Sequence, residues 1–555
     1  KKEARKKRAQ EQPEHTFASP EAAYAFYAAA SGTRLRLLVS TLLCLGSVLL
    51  LVLSTPLITG AFSDHAAVFS AAMLGLLLLQ AVCSYDVCLS GVIALLRFRF
   101  DQYSMLFLAL CAVVADAFFA VAEGRTPFCT VASILLLLAL WGRDLLYDAR
   151  RRSLRAISNM DEPVAAIREE KAWHGYDCIF RAPGDAEQFA VQLEMPDAGS
   201  RIMRVWAPVM TAVTLALSVL TSLRTGEHFL WAWSAMLLAS FPAGILIAYA
   251  KPFSALARRL YRAGAAIAGW QGARILSGEA GLIVEDADLF PPQNVTQGGM
   301  KLYGSRPAPM VIGYANAVVQ TAGSGLVPLF EQMMHDQNGR RYTVDTFRRY
   351  EGGGLGATIR GDVVLMGSIA FMKLMRVRVP EGTRLKQAVY LSVNGELTAV
   401  FALNYAPAES VRAGLSAVLR AGSLVPVLAT RDFMITPQFL KLRYKIPPEH
   451  IEFPIVEERA RLSSQEIPRT GPQGALMARS SFASFAGSVV SARTLRGAAI
   501  IAMIVALAGS VLGTALMFFL TFLGSSFSAS CWNLFVYTVL WLIPGLLTAL
   551  LAGRA

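Results

Sequence analysis

The stretch "VEDADLF", residues 284–290, closes a short apolar run in a soluble region that follows a proline-containing apolar helix. Asp286 ends that run, and the residues leave two readings open. It is a remnant at a strand end, or a group that binds or accepts something. Asp86 and Asp116 are acids deep inside apolar segments, with Cys83 one turn from Asp86 on the same face. Acids at such depth point to ion handling by default, and otherwise to a buried donor. Pro242 interrupts another apolar segment, where it should kink the helix and free backbone carbonyls. Gly352 and Gly354, within "EGGGLG", make a bare turn or let backbone amides reach a phosphate. His174 and His335 have no partners at metal-ligand spacing and read as surface residues.

These residues hang on a membrane protein. Of 555 residues, 54% are hydrophobic and only 16% charged, which places the chain among polytopic membrane proteins. The formal charge of +13 sits in loops beside apolar helices, so it suits membrane orientation and not nucleic acid. Seven cysteines are scattered without C-x-x-C spacing, which predicts reduced, buried thiols. A span needs about 20 apolar residues. Eight segments qualify: 37–60, 67–96, 103–122, 126–142, 206–223, 229–250, 497–523 and 529–552. The basic stretches "KKEARKKR", "RFRF" and "RDLLYDARRRSLR" belong inside, which puts both termini in the cytoplasm.

Two cytoplasmic loops are large. In the second, β-branched runs ("APMVIGYA", "AVYLSV", "LTAVFAL", "LVPVLAT") alternate with helical stretches such as "PAESVRAGLSAVLRAG". The segment "PEAAYAFYAAA" predicts a surface helix opened by Ser19-Pro20.

Eight spans, with one insertion after the fourth and a larger one after the sixth, resemble the layout of heavy-metal (class IB) P-type ATPases. "RFRFDQYSM" is similar to that family's R-x-R-F-D-I-x-x-L-M, and Ser90-Gly91 sits where the family kinks its second helix. "SFPAGILIA" resembles C-P-C-A-L-G-L-A, 44 residues before Asp286, near the family's spacing to its phosphorylated aspartate. "EGGGLGATIRGDVVLMGSIAFM" resembles the nucleotide-domain glycine pattern. "ALNYAPAESVRAGLSAVLRAGSLVPVLATRD" resembles the phosphorylation domain up to its T-G-D strand. "QGALMARSSFASFAG" resembles the helix and strand after the G-D-G-x-x-N-D hinge.

The resemblance implies a polytopic helical bundle of eight spans, a cytoplasmic α/β HAD-like phosphorylation domain and an α+β nucleotide-domain-like insert. The implied units are a basic N-terminal segment (1–36), the first four membrane helices (37–142) and a reduced actuator-like loop (143–205). Helices five and six (206–250), the phosphorylation-like part (251–300 and 390–496), the nucleotide-like part (301–389) and helices seven and eight (497–555) follow.

The departures from the family bear on chemistry. Asp286 keeps the nucleophile's position, but K-T-G-T has become Ala287, Asp288, Leu289 and Phe290. Asp288 is expected to repel phosphate. T-G-D is Thr430-Arg431-Asp432, D-x-x-R is Asn404-Tyr405-Ala406 before Pro407, and the P-x-x-K lysine is Glu457. The G-D-G-x-x-N-D hinge is absent, with Thr470 and Gly471 in its place, and the adenine-site histidine is Val327. C-P-C is Phe241-Pro242-Ala243, which lacks soft sulfur ligands. The "TGE" at Thr225-Gly226-Glu227 lies in an outer turn, so it is no actuator loop.

The reading is a catalytically inactive P-type-ATPase-like membrane protein with a scaffolding, regulatory or partner-binding role. No cofactor is expected. The alternative is a divergent ATP-driven heavy-metal or cation transporter phosphorylated on Asp286, with Thr430 and Asp432 beside it, and only that alternative calls for Mg²⁺ and ATP. Expected partners are the lipid bilayer and another membrane or cytoplasmic protein, in a bacterial plasma membrane.

Overall fold

Eight helices among the described residues are long and apolar enough to cross a membrane. The computed structural model describes residues 13–30, 34–54, 66–158, 160–380, 387–524 and 529–554. The basic run at residues 1–8 lies outside the described residues. The fourth helix, Cys129–Ser158, has 30 residues and the seventh, Phe482–Phe522, has 41. At about 1.5 Å per residue both exceed a bilayer core, so they carry the extramembrane lobe on continuous rods. The seventh therefore begins well before the expected residue 497.

The second span bends elsewhere than expected. It runs Ala66–Cys83, turns at Ser84, and resumes as Tyr85–Leu96. Gly91 lies within the second piece, where a Cβ would overlap the Tyr103 carbonyl, so its glycine serves close helix packing. Gly142 has the same role. A Cβ there would overlap the Leu246 carbonyl of the interrupted sixth span. Gly142→Val is expected to cost roughly 1–3 kcal/mol by overpacking, read as a lower unfolding temperature in detergent. Gly142→Ala should fall between that variant and wild type.

The lobe holds two six-stranded sheets. The strands of the first are β1 Val164–Trp173, β2 Tyr176–Pro183, β3 Ala265–Ile267, β4 Ala280–Val284, β11 Leu424–Leu428 and β12 Gln473–Met477. They form a mixed sheet in the order β11-β4-β2-β1-β12-β3. β4 and β11 are parallel and buried at nearly every position, as their unbroken apolar runs require. The first large loop contributes the β1–β2 hairpin at the sheet's centre. β2 pairs in parallel with β4 (Cys178↔Gly281, Ile179↔Leu282), and β1 pairs with β12. Residues 143–205 are thus stitched into the sheet that carries Asp286.

The second sheet comprises β5 Val295–Leu302, β6 Thr346–Tyr350, β7 Gly354–Ile359, β8 Asp362–Gly367, β9 Ala388–Val393 and β10 Glu396–Tyr405. It is antiparallel, in the order β5-β10-β9-β8-β7-β6. One hydrophobic cluster runs through both sheets, from Leu282 and Val284 to Leu391 and Phe401.

Two local expectations fail. "APMVIGYA" is not a strand but the start of the helix Ala308–Ala322, opened at Pro307 and closed by Gly323 at φ 63°. The apolar run continues through "NAVVQTA", and length favours helix over strand. "QGALMARSSFASFAG" reverses the expected order: β12 comes first, and the seventh span's helix follows from Phe482. The helices Pro20–Ala30 and Glu409–Arg420 form as expected, with the Ser19 hydroxyl accepting from the Ala22 amide. The fold is a helical membrane bundle bearing an α/β lobe and an antiparallel α+β insert.

Candidate functional site

β4 delivers the chain to Glu285, which opens a single helical turn, Asp286–Leu289. Asp286 is 8% exposed. Its oxygens accept from the backbone amides of Gly325 (2.9 Å), Arg431 (3.0 Å) and Asp432 (3.3 Å). Gly325 belongs to the inserted domain. A Cβ on it would stand 2.8 Å from the Asp286 Cβ, so only glycine lets the insert close this far. Asp432, 1% exposed, accepts from the Tyr405 hydroxyl (2.7 Å) and the Met434 amide (2.9 Å). Burial raises both carboxyls above their usual range, and the charge of Asp432 raises Asp286 further. Thr430 is buried, its hydroxyl 3.5 Å from the Ile435 carbonyl. The structure thus brings together Asp286, Thr430 and Asp432, and turns their polar atoms inward.

The residues after Asp286 are also accounted for. Asp288 does not stand as a free repelling charge: Arg181 of β2 holds both its oxygens, one at 2.7 Å, and also reaches the Ser480 hydroxyl at 3.2 Å. Burial nevertheless pushes Asp288 up to about 6. Phe290 is 2% exposed and packs among Tyr405, Phe439 and Tyr444, with ring centroids 5.2–5.7 Å away. A cluster of aromatic rings lies next to the site.

Gly352 and Gly354 are explained by packing. The Leu374 side chain lies 2.9 Å from where a Gly352 Cβ would stand. The Phe371 ring occupies the Cβ positions of both Gly354 and Gly367. Those side chains account for both glycines, and the turn itself borders a cleft between the insert and the segment after β11.

Magnesium needs oxygen ligands free to complete an octahedral shell. Here the Asp286 oxygens serve three amides, Asp432 serves Tyr405 and Met434, and Asp288 serves Arg181. These donors favour the ionised form against the upward push of burial, and they occupy oxygens that a magnesium ion would need. Among the described residues, one acid and histidine cluster has metal-like spacing, Glu14, His15 and Glu194. Arg150 already occupies it, at 2.8 Å from Glu14 and 3.3 Å from Glu194.

The membrane acids are paired. Asp116 is fully buried against the Arg125 guanidinium, with one bond of 3.0 Å. Asp86 pairs with Arg36 and lies 3.7 Å from Arg143. Pro242 does interrupt the sixth span, which stops at Ser240 and resumes at Ile245. The freed Ser240 carbonyl accepts from the Ser510 hydroxyl of the seventh span, so it is already satisfied. His174 is exposed as expected, yet its ring lies 2.9 Å from Glu458.

Gly325 and Arg181 are the site residues that sequence reasoning passed over, whereas Tyr405 and Arg431 entered it only as departures inside Asn404-Tyr405-Ala406 and Thr430-Arg431-Asp432. No family model matches the chain, and no curated protein does. Among solved structures, a zinc-transporting PIB-type ATPase in the E2.Pi state is similar at 14% identity and TM-score 0.48, covering 94% of this chain and 100% of that one. The catalytic domain of the CPx-ATPase CopB-B gives 11% identity and TM-score 0.24, over 37% of this chain and 73% of that one. The N-domain of HMA8, a copper-transporting P-type ATPase, gives 20% identity and TM-score 0.17, over 19% and 98%.

Proposed function

We propose that this integral membrane protein is a P-type-ATPase-like pseudo-pump, with both termini cytoplasmic, that works as a scaffold, regulator or partner-binding protein without turning over ATP. One observation carries this reading: three backbone amides, one from the inserted domain, cap a buried Asp286 carboxylate. In-line attack on a phosphoryl group needs that carboxylate ionised, exposed and charge-compensated. Here the amide of Gly325, in the insert, is closed onto that carboxylate, and a Cβ at this glycine would stand 2.8 Å from the Asp286 Cβ. The β1–β2 hairpin adds a second obstacle, because a strand hydrogen-bonded to β4 cannot swing in to catalyse hydrolysis of a phosphoenzyme.

The expected outcome is no acid-stable label when purified protein is incubated with γ-labelled ATP and Mg²⁺. Label that disappears in Asp286→Asn would overturn the reading and favour a divergent cation pump.

A further inference from the structure

Where the lobe meets the bundle, a recess of about 190 Å³ opens beside the fifth and seventh spans. Three arginines line it, each from a different element: Arg201 from the fifth span's helix Ala198–Thr225, Arg496 from the seventh, and Arg274 from the short helix Gly269–Ile275. No carboxylate lines it among the described residues. Arg274 is exposed and Arg496 half-buried, and neither makes a side-chain hydrogen bond or an ion pair among the described residues. Arg493, one turn before Arg496, differs: it donates to the Leu276 carbonyl (3.1 Å) and to the Gly278 carbonyl. Beyond Arg496 the lining turns apolar. Ile500, Met503, Ile504 and Leu507 follow at steps of three or four residues, on one face of the same helix. Ile504 is 61% exposed and Met503 2%, so this stripe runs along the edge where the bundle meets lipid.

Single arginines beside a membrane commonly reach for lipid phosphates without selecting one. Here three converge from separate elements on one recess, two of them without a partner, and an apolar stripe starts directly beside them. That arrangement complements a phosphate ester joined to an acyl chain. The recess is smaller than the about 300–1,000 Å³ that encloses a drug-sized ligand, so it takes a head group while the chains lie out along the seventh span. We propose that this recess is a specific site for one anionic phospholipid of the leaflet on the lobe's side. Its phosphate lies between Arg274 and Arg496, and one acyl chain runs along Ile500, Ile504 and Leu507. The helix that bears Arg274 is pressed onto β12, since a Cβ on Gly272 would overlap the Gly474 carbonyl. A lipid held there ties the sheet that carries Asp286 to the fifth and seventh spans, whatever chemistry Asp286 performs.

The test takes the full chain, delipidated in a neutral detergent, and titrates it with phosphatidylglycerol, phosphatidylcholine of the same chains, and glycerol 3-phosphate. Native mass spectrometry counts retained lipid, and the unfolding temperature reads its effect on the fold. One phosphatidylglycerol per chain should be retained and should raise the unfolding temperature, while phosphatidylcholine and glycerol 3-phosphate do neither. Arg274→Gln and Arg496→Gln should each weaken retention about tenfold. Arg274 is exposed, so its variant keeps the test open should Arg496→Gln unfold. Arg204 is also exposed on the fifth span's helix but lies outside the recess, and Arg204→Gln should leave retention unchanged. The proposal is overturned by equal retention of phosphatidylcholine, by the same thermal shift with glycerol 3-phosphate, or by retention that survives both recess substitutions. An equal loss in Arg204→Gln would also overturn it, because diffuse surface charge would then explain the binding.

Discussion

Arg181→Ala is expected to destabilise the extramembrane lobe by roughly 3–5 kcal/mol at pH 8, the usual cost of stripping one partner from a buried ion pair. Asp288 is 1% exposed, and Arg181 supplies the guanidinium that holds both its oxygens. Burial already raises Asp288 to about 6 with the arginine present. A carboxyl raised on folding stabilises the fold fully below its unfolded value, and that contribution is lost as pH climbs past the folded value. Without Arg181 the folded value rises further, so the variant should lose little at pH 5 and most of the expected amount at pH 8. Asp288→Asn in the Arg181→Ala background should restore much of the loss, because the orphaned charge goes with it. Denaturant unfolding of the four proteins at both pH values closes a double-mutant cycle. Because Arg181 sits on β2 and Asp288 follows β4, the same variant should make the β1–β2 hairpin more susceptible to limited proteolysis. A pH-independent loss, or no rescue, would mean that Arg181 acts by packing on Phe485 and not by charge.

Why such a joint escaped the sequence is a matter of range. The spans were legible because length and apolarity are local properties, and the strand before Asp286 was legible as a buried apolar run with an acid at its end. The hairpin was not. β1 reads "VAAIREEKAW", whose charged half looks like a solvated loop, and its partner β12 lies some 300 residues later. Arg181 and Asp288 are 107 residues apart and become a pair only once β2 lies beside β4. Gly352 and Gly354 carried the opposite lesson. Their pattern was visible, but the reason for it, the Leu374 and Phe371 side chains, depends on how the helix Ile369–Leu374 folds back. Asp288 was misread for the same cause, since a sequence displays a charge without its counter-charge.

In wild-type protein the unfolding temperature of the lobe is expected to fall between pH 5 and pH 8, and Asp432→Asn should flatten that fall. Burial and then the charge of Asp432 raise Asp286 to about 7, while burial raises Asp432 to about 6. Both carboxyls move in the same direction. Their stabilisation is complete below the unfolded value near 4 and is lost as pH rises through 6 and 7. A folded-state pKa that lies one pH unit from its unfolded value corresponds to about 1.4 kcal/mol, so a decline of several degrees is expected. Asp432→Asn deletes one of two like charges at small geometric cost. Its amide oxygen can still accept from the Met434 amide, and the Tyr405 hydroxyl can rotate from donor to acceptor. Asp286→Asn is the poorer probe, because an amide nitrogen would face a backbone N–H that Asp286 now satisfies. Scanning calorimetry of wild type and Asp432→Asn at half-unit pH intervals reads the difference, and equal slopes would show that the two carboxyls do not sense each other. The slope also bears on the proposed reading, because only the ionised form of Asp286 could attack a phosphoryl group.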